Sequence, residues 1–234
     1  MKIIDFFIPP ACLICSTLTT QAHQLCLNCF NKINWIKEPS CIKCCTKFDF
    51  ALLQGATCQN CEYNQWSFNQ LIALASYDPV AARVAVKLKY QGLGAKFIAN
   101  QLFDKIKNLQ TNFHLITYVP LHTQRIIKRG FNQAELIAKQ LSLLMHIPVK
   151  SLLIRIKNTL SQDGLGQKER MSNLQNAFAI NPKINPLELH NINVLLIDDV
   201  VTTNATIENC SHVLTQYKSN VYPACWSKRI LHQD

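Results

Sequence analysis

The spacing of apolar and polar positions changes several times along the chain, and the changes predict its elements. Short apolar runs typical of strands occur at 71–75, 113–119, 151–156, 194–197 and 221–226. Segments with apolar residues at helical spacing lie between these runs, at 80–90, 95–109, 132–145 and beyond 207. Strands that alternate with helices favour an α/β fold, in which helices flank a parallel sheet.

The run Val194–Ile197 has no polar alternation, so we expect a strand that is buried on both faces. Asp198 and Asp199 stand where this strand should end, and a hydroxyl-rich loop and a helix follow. Ligands of open α/β sheets bind beyond the carboxyl ends of the strands, and a helix N-terminus attracts anions. The stretch therefore predicts a phosphate–sugar site, in which the carboxylates hold sugar hydroxyls directly or through hydrated Mg²⁺. The alternative is an ordinary strand–loop–helix connection.

A basic segment occupies the same kind of position after the strand predicted at 113–119. Arg125, Lys128 and Arg129 precede Gly130. Asn132 and Glu135 are spaced as a capping box, so a helix is expected to begin at 132. Guanidinium forks match the oxygens of phosphate groups. We therefore expect a basic loop that receives a pyrophosphate group, with a solvated loop as the alternative.

Composition and charge narrow the class of protein. The 234 residues are 48% hydrophobic, which is enough for a sizeable core in one large or two modest domains. No apolar run is long enough for a transmembrane segment, and Asp5 interrupts the N-terminal apolar stretch, so a cytoplasmic protein without a signal peptide is expected. The formal charge of +10 favours polyanionic partners. Lys87 and Lys89 either form a solvated helix face or point at an anion.

Cysteine is concentrated at the N-terminus, where nine of the eleven cysteines precede residue 62. Eight of them form Cys-x-x-Cys pairs, which are Cys12 with Cys15, Cys26 with Cys29, Cys41 with Cys44, and Cys58 with Cys61. A two-residue gap lets both thiolates face one ion, so four pairs can form two tetrahedral zinc sites. A disulfide framework would suit a secreted protein, and a redox enzyme needs fewer pairs. Structural Zn²⁺, one or two ions, is therefore predicted.

The pairing of these cysteines stays open at the level of sequence. Pairs adjacent in the chain can share an ion, but a crossed arrangement is possible, Cys45 could replace Cys44, and His23 is a minor candidate. A segment this small buries little core, so metal binding would supply its folding energy. We predict a double zinc-ribbon domain over 1–65 and an α/β domain over 66–234.

The stretch around the two acids resembles the phosphoribosyl pyrophosphate (PRPP) motif of type I phosphoribosyltransferases. Asn204 stands where that motif has glycine. The resemblance implies that Asp198 and Asp199 are the catalytic acids that hold the ribose hydroxyls. It also implies a PRPP-binding loop around the 5′-phosphate, made by Val200, Val201, Thr202, Thr203, Asn204, Ala205 and Thr206.

Three further stretches make the resemblance more specific. The sequence VPLHTQRIIKRGFNQAELIA at 119–138, LKYQG at 88–92 and the cysteine pairs occur in the order typical of the ComF family. These are phosphoribosyltransferase-like proteins with an N-terminal zinc ribbon, linked to DNA uptake in natural transformation. The family's Thr-x-x-Gln stretch is matched by Thr159 and Gln162, followed by Arg170 and Asn173. This segment is either a mobile loop over the site, whose closure Gly164 and Gly166 would allow, or an ordinary connection.

The resemblance implies a type I phosphoribosyltransferase-like sheet that binds Mg²⁺ with PRPP. In a transfer reaction, Arg125, Lys128 and Arg129 would offset the charge of the departing pyrophosphate. No general base for an acceptor is visible, so enzymatic activity is left open. Two alternatives are an inactive accessory protein that binds single-stranded DNA or a DNA-uptake helicase, and a nucleotide-salvage-type transferase with an unknown acceptor. Partners in DNA uptake and recombination are implied by the family alone.

Overall fold

A four-stranded parallel sheet forms the centre of the protein. The computed structural model describes residues 9–48, 55–157 and 176–229. The sheet has the order β1–β6–β5–β2 and contains β1 (Ile72–Ser76), β2 (Leu115–Tyr118), β5 (Asn193–Val201) and β6 (Asn220–Lys228). A separate antiparallel pair is made by β3 (Leu153–Arg155) and β4 (Phe178–Ile180). The predicted parallel sheet is confirmed, although the strand predicted at 151–156 lies outside it.

Helices cover both faces of this sheet. The described residues form the helices α1 (Leu27–Asn31), α2 (Gln59–Tyr63), α3 (Pro79–Gln91), α4 (Ala95–Ile106), α5 (Thr123–Arg129), α6 (Gln133–Met145) and α7 (Ala205–Thr215), with a 3₁₀ turn at Pro186–Leu189. One apolar cluster joins α3, α4 and α6 to the sheet, and a second joins α7, β3 and β4 to the opposite face. In the described part of the chain, no helix combines the length and apolar character needed to span a bilayer.

Strand β5 shows why its apolar run has no polar alternation. Leu195 and Ile197 pack into the first cluster, whereas Val194 and Leu196 pack into the second. Successive side chains of a strand point to opposite faces, so a strand between two helical layers needs apolar residues at every position. Burial on both faces, predicted from the sequence, is confirmed.

The cysteine-rich segment packs directly against the sheet. Ile36 N donates to Leu74 O at 2.9 Å, so the chain beside Trp35 runs along the outer edge of β1. The Trp35 ring meets Trp226 of β6 edge-on, with 5.9 Å between the ring centroids. Trp226 Nε1 in turn donates to Ala81 O of α3 at 2.9 Å. The segment therefore covers a sheet edge, which would otherwise expose unpaired backbone groups.

Two sequence-based expectations differ from the structure near the carboxyl edge of the sheet. The segment expected to be a basic loop is the helix α5, which ends at Gly130 with φ of +85°. The two acids lie within β5, because β6 pairs with it as far as Val201 while β2 pairs only as far as Ile197. The residues of the candidate mobile loop, Thr159, Gln162, Gly164, Gly166, Arg170 and Asn173, lie outside the described residues.

Candidate functional site

A cleft of about 400 Å³ opens at the carboxyl edge of the sheet. Its walls include the residues that directly follow three strands, which are Tyr77 after β1, Val119 after β2 and Arg229 after β6. The end of β5, the start of α7, and residues of α3 and α5 also line the cleft. This is the position at which parallel α/β sheets bind ligands.

The acid pair lies in this cleft. Asp198 is only 8% exposed, and its Oδ1 accepts a hydrogen bond from Asp199 N at 2.9 Å. Asp199 Oδ1 accepts from Val200 N at the same distance. Burial, and then the neighbouring Asp199 carboxylate, raise the pKa of Asp198 well above its usual range. A cation bound to the pair would favour the ionised form of Asp198.

The loop between β5 and α7 turns through a left-handed residue. Asn204 has φ of +62° and precedes the first residue of α7. This backbone conformation accounts for glycine at the same place in the motif, since asparagine tolerates it better than most residues do. Asn204 is 5% exposed, and its Oδ1 has no hydrogen-bond partner among the described residues. The side chain is therefore buried beside the site without capping the helix.

Most of the predicted loop residues line the cleft. Those that do are Val200, Val201, Thr202, Asn204, Ala205 and Thr206. Thr203 is not among the lining residues. The loop therefore presents two threonine side chains and the N-terminus of an eleven-residue helix to one cavity.

Two of the three predicted basic residues reach the cleft from α5. Arg125 and Arg129 are four residues apart on the helix and line the cavity, whereas Lys128 is exposed and does not. Residues four apart share a helix face. Arg129 Nη1 donates to Oε1 of the buried Gln133 at 2.6 Å, which fixes the direction of the guanidinium.

The RGFNQ stretch builds the connection that holds this arginine. Asn132 Nδ2 donates to Val119 O at 2.9 Å, and its Oδ1 accepts from Ala134 N at 3.0 Å, so one side chain ties the end of β2 to the start of α6. The expected reciprocal contact from Glu135 does not form, because Glu135 pairs with Lys139 at 2.7 Å. The cap at Asn132 is confirmed, and the full capping box is wrong.

The LKYQG stretch meets RGFNQ in space. Gly92 ends α3 with φ of +69°, and a Cβ at this position would lie 3.6 Å from Cζ of Phe131. Within the same stretch, Lys89 and Tyr90 line the cleft, whereas Lys87 does not. Of the two lysines considered from the sequence, only Lys89 therefore faces the candidate anion site.

Several lining residues were missed by the sequence prediction. Arg155 comes from β3, and burial followed by the proximity of Arg125 lowers the pKa of its guanidinium. Arg229 belongs to a basic C-terminal stretch, and Tyr77 follows a strand. Only the position of Tyr77 and Arg229 after strand ends could have indicated them, since each strand had been predicted. Nothing in the linear sequence indicates Arg155, because β3 lies outside the main sheet.

The cleft is positively charged on balance. Two acidic side chains line it, against five basic ones, which are Lys89, Arg125, Arg129, Arg155 and Arg229. Such a concave basic surface concentrates anions. The arrangement fits an anionic ligand that also brings hydroxyl groups or a metal ion to the acid pair.

The cysteine pairs form two separate four-sulfur groups. Cys12, Cys15, Cys26 and Cys29 make the first, and Cys41, Cys44, Cys58 and Cys61 make the second, with all sulfurs of a group within 4.8 Å of one another. Sulfurs around a tetrahedral zinc ion are about 3.8 Å apart, so both groups fit Zn²⁺. The pairing is therefore sequential rather than crossed.

The other candidate ligands take no part in these groups. Cys45 Sγ donates to Leu71 O at 2.9 Å, which places it against the sheet rather than in the second group. His23 likewise belongs to neither group among the described residues. Both sites use one pair from a hairpin turn and one pair at the start of a short helix, α1 or α2.

Comparison with known proteins agrees with this architecture. The model of the double zinc ribbon domain matches residues 3–62. Competence protein F of Haemophilus influenzae is 29% identical over 87% of this chain and 90% of its own length. Competence protein ComFC of Bacillus subtilis is 24% identical over 83% of this chain and 79% of its own length.

A solved structure of similar fold is an adenine phosphoribosyltransferase from Trypanosoma brucei, in complex with AMP, pyrophosphate and ribose-5-phosphate. It is 10% identical, covers 68% of this chain and 83% of its own, and aligns with a TM-score of 0.41. The two competence proteins match most of the chain, and its eight paired cysteines form the two Cys₄ sites expected of a double zinc ribbon. The chain therefore belongs to the ComF family of competence proteins.

Proposed function

We propose that the cleft binds PRPP together with Mg²⁺. The observation that carries this proposal is that the acid pair, the threonine loop and two arginines of α5 line one cavity. The acids can bind hydroxyl groups or a cation, the threonine loop at a helix N-terminus can bind a phosphate, and the arginines can bind a pyrophosphate. A phosphorylated sugar that carries a pyrophosphate needs all three.

The loop and α7 would bind the 5′-phosphate. Thr202 and Thr206 line the cavity beside the helix N-terminus, where backbone amides and the helix dipole favour an anion. The left-handed turn at Asn204 brings the chain from β5 into the helix. No lysine side chain is needed at this end of the ligand, because amides and hydroxyls can surround a monoester phosphate.

The acid pair would hold the ribose hydroxyls, directly or through Mg²⁺. Mg²⁺ prefers oxygen ligands and keeps several waters, which suits one or two carboxylates at the mouth of a cleft. Asp199 is more accessible than the buried Asp198. Binding of the cation offsets the cost of ionising Asp198, so affinity for Mg²⁺ and loss of the proton are linked.

The arginines of α5, together with Arg229, would hold the pyrophosphate. With a nucleophile as acceptor, the arrangement supports phosphoribosyl transfer. The acceptor forms a bond to the anomeric carbon, and the bond from that carbon to the pyrophosphate oxygen breaks, so that pyrophosphate leaves with the electron pair. Guanidinium groups stabilise the charge that develops on the leaving group.

Calorimetric titration of the protein with PRPP, in the presence of Mg²⁺, tests the proposal. We expect binding by the wild type and a loss of affinity of about tenfold or more in Asp199→Asn and Arg125→Ala, since each removes a charged contact. Lys128→Ala is the matched control, because Lys128 lies on the same helix but away from the cleft. Absence of binding by the wild type would refute the proposal. Equal losses of affinity in Arg125→Ala and Lys128→Ala would show that overall charge, rather than a contact in the cleft, causes the loss.

Single-stranded DNA is a second candidate ligand, favoured by two tyrosines at the cleft. Tyr77 is 45% and Tyr90 67% exposed, and Lys89 Nζ lies 5.5 Å from the centre of the Tyr90 ring. Aromatic rings beside basic groups bind single strands by stacking and charge. Fluorescence anisotropy with an oligo-dT probe should then show affinity that falls with salt. Tyr90→Ala should weaken binding more than Tyr63→Ala on the zinc ribbon, and the reverse order would place DNA on the ribbon instead.

A further inference from the structure

A buried lysine connects the end of the central sheet to the second zinc site. Lys228 is the last residue of β6, where it pairs with Ser76 of β1 and Val201 of β5. It is only 5% exposed. Its side chain points away from the sheet into the cysteine-rich segment, while the next residue, Arg229, lines the cleft.

The ammonium group of Lys228 contacts the second cysteine group through two hydrogen bonds. Nζ donates to Cys44 O and, at 3.2 Å, to Thr46 Oγ1. Thr46 Oγ1 also lies 3.1 Å from Cys44 Sγ. An ammonium group can only donate, so the Thr46 hydroxyl accepts from Lys228 and is left to donate its proton to the sulfur. Lys228 thus reaches a zinc ligand through one hydroxyl.

Lys228 has no carboxylate partner among the described residues. The ion pairs there are Lys107–Asp104, Lys139–Glu135 and Lys150–Glu188. A buried ammonium group is costly unless a nearby negative charge compensates it. Four thiolates around one Zn²⁺ carry a net charge of about −2. The second zinc site is therefore the anion that fits next to Lys228.

We propose that Lys228 is a positioning residue for the second zinc ion. Its ammonium compensates the charge of the zinc–thiolate centre, and the hydroxyl of Thr46 passes this stabilisation to Cys44. Lys228 thereby slows loss of the ion from the four cysteines of that site. The inference concerns zinc retention and does not depend on what the cleft binds.

The first zinc site provides a comparison within the same chain. Cys15 Sγ lies 3.2 Å from Thr17 Oγ1, which repeats the contact between Cys44 and Thr46. Both residues are exposed, and in the described part of the chain no lysine hydrogen-bonds to Thr17. Both sites therefore have a contact between a cysteine sulfur and a threonine hydroxyl, but only at the second site does a buried ammonium group also bind that hydroxyl.

Site-specific zinc release tests the proposal on the full zinc-loaded chain. The protein is challenged with EDTA, the freed thiols are alkylated at timed intervals, and peptide mass spectrometry identifies which cysteines have reacted. In Lys228→Met we expect release from the second site to accelerate by about 10- to 100-fold, the range seen when groups that support metal ligands are removed. Release from the first site should stay at the wild-type rate.

Lys105→Met is the matched control. Lys105 Nζ donates to Ala73 O at 2.8 Å and to Ile36 O at 3.4 Å, so it also joins the cysteine-rich segment to the sheet. It touches no zinc ligand, and this variant should release both ions at wild-type rates. Equal acceleration in the two variants, or an unchanged second site in Lys228→Met, would overturn the proposal.

A second pair of variants covers the case in which Lys228→Met does not fold. Thr46→Val and Thr17→Val each remove one hydroxyl beside a cysteine sulfur, and Lys228 keeps its hydrogen bond to Cys44 O in Thr46→Val. Because only Thr46 has a cation behind it, Thr46→Val should speed release from its site more than Thr17→Val speeds release from the other. Equal effects at the two sites would mean that Lys228 contributes nothing.

Discussion

Asp198 is the residue whose chemistry depends most on its surroundings. It lines a basic cleft, but burial outweighs the effect of the nearby Arg155, so the pKa of its carboxyl group is raised. A carboxyl group with a raised pKa in the folded protein binds a proton more readily than it does in the unfolded chain. The charge therefore destabilises the fold at neutral pH, a cost that binding of a cation would recover.

Replacement of Asp198 by asparagine should reveal this cost as a pH dependence. The amide is neutral, has nearly the same shape and can still accept from Asp199 N, so wild type and variant should have similar free energies of unfolding near pH 4. Above the ordinary aspartate pKa of about 3.9, wild-type stability should fall relative to Asp198→Asn by about 1.4 kcal/mol per pH unit, until the raised pKa of the folded state is passed. Urea unfolding of both proteins between pH 4.5 and 8 measures the difference. A difference that does not change with pH would contradict the raised pKa.

For single residues, the sequence predicted the types of side chain at the site better than the direction in which each side chain points. The acids, most of the loop, Arg125 and Arg129 were predicted and do line one cleft, as far as the structure places them. Lys128 was included as part of an expected basic loop, whereas it lies exposed on the helix α5, outside the cleft. Arg155 could not be found, since its place depends on how a separate pair of strands packs over the sheet.

The connection between α5 and α6 shows how the ends of two helices position a side chain of the cleft. Gly130 ends one helix, Asn132 begins the next, and Gln133 orients Arg129. Asn132 is buried, and both ends of its side chain are hydrogen-bonded. One amide therefore sets the direction of α6 against β2 and, through it, the place of the cleft arginine.

Asn132→Ala should destabilise the protein and weaken anion binding together. The variant loses the cap and leaves Val119 O without its donor, so we expect a loss of about 1–3 kcal/mol in the free energy of unfolding. Affinity for pyrophosphate should fall as well, because the start of α6, which carries the Gln133 acceptor of Arg129, is no longer tied to the end of β2. Denaturant unfolding and calorimetry measure the two effects.

Asn185→Ala is the control for this change. Asn185 caps the 3₁₀ turn by accepting from Leu187 N at 3.1 Å, but it is exposed and does not line the cleft. Its loss should cost less stability and leave pyrophosphate affinity unchanged. Equal losses in the two variants would show that Asn132 acts as an ordinary cap.

The extents of elements were harder to predict than their kinds. The buried run at 194–197 correctly indicated a central strand, but β5 continues through the acids because a longer neighbour, β6, still offers partners there. The end of β5 therefore depends on its pairing with β6, whereas the local composition predicts that the strand ends before the acids. A different cause applies to α5, which appears where a basic loop was expected, because helix formation there depends on the cap at His122 and on Gly130 rather than on apolar spacing.

In the whole molecule, the zinc ribbon and the sheet share apolar cores. Leu13 and Ile33 pack in the cluster that contains Trp226, whereas Ile36 and Cys45 pack in the cluster on the opposite face. The boundary predicted between residues 65 and 66 stays a prediction. The sequence could not predict these contacts, because the cysteine spacing indicates a zinc ribbon but not which of its apolar residues pack against the sheet.

Removal of zinc should therefore lower the thermal stability of the entire chain. Without the metal, the ribbon loses the free energy that orders it, and Trp35 no longer covers Trp226 or the edge of β1. We expect calorimetric scans to show one unfolding transition for the zinc-loaded protein, and a transition at lower temperature, with smaller enthalpy, after treatment with EDTA. Two transitions, with that of the α/β part at the same temperature before and after treatment, would contradict the shared core. Trp35→Ala in the zinc-loaded protein separates packing from metal binding, because it should lower the transition temperature while both zinc ions are retained.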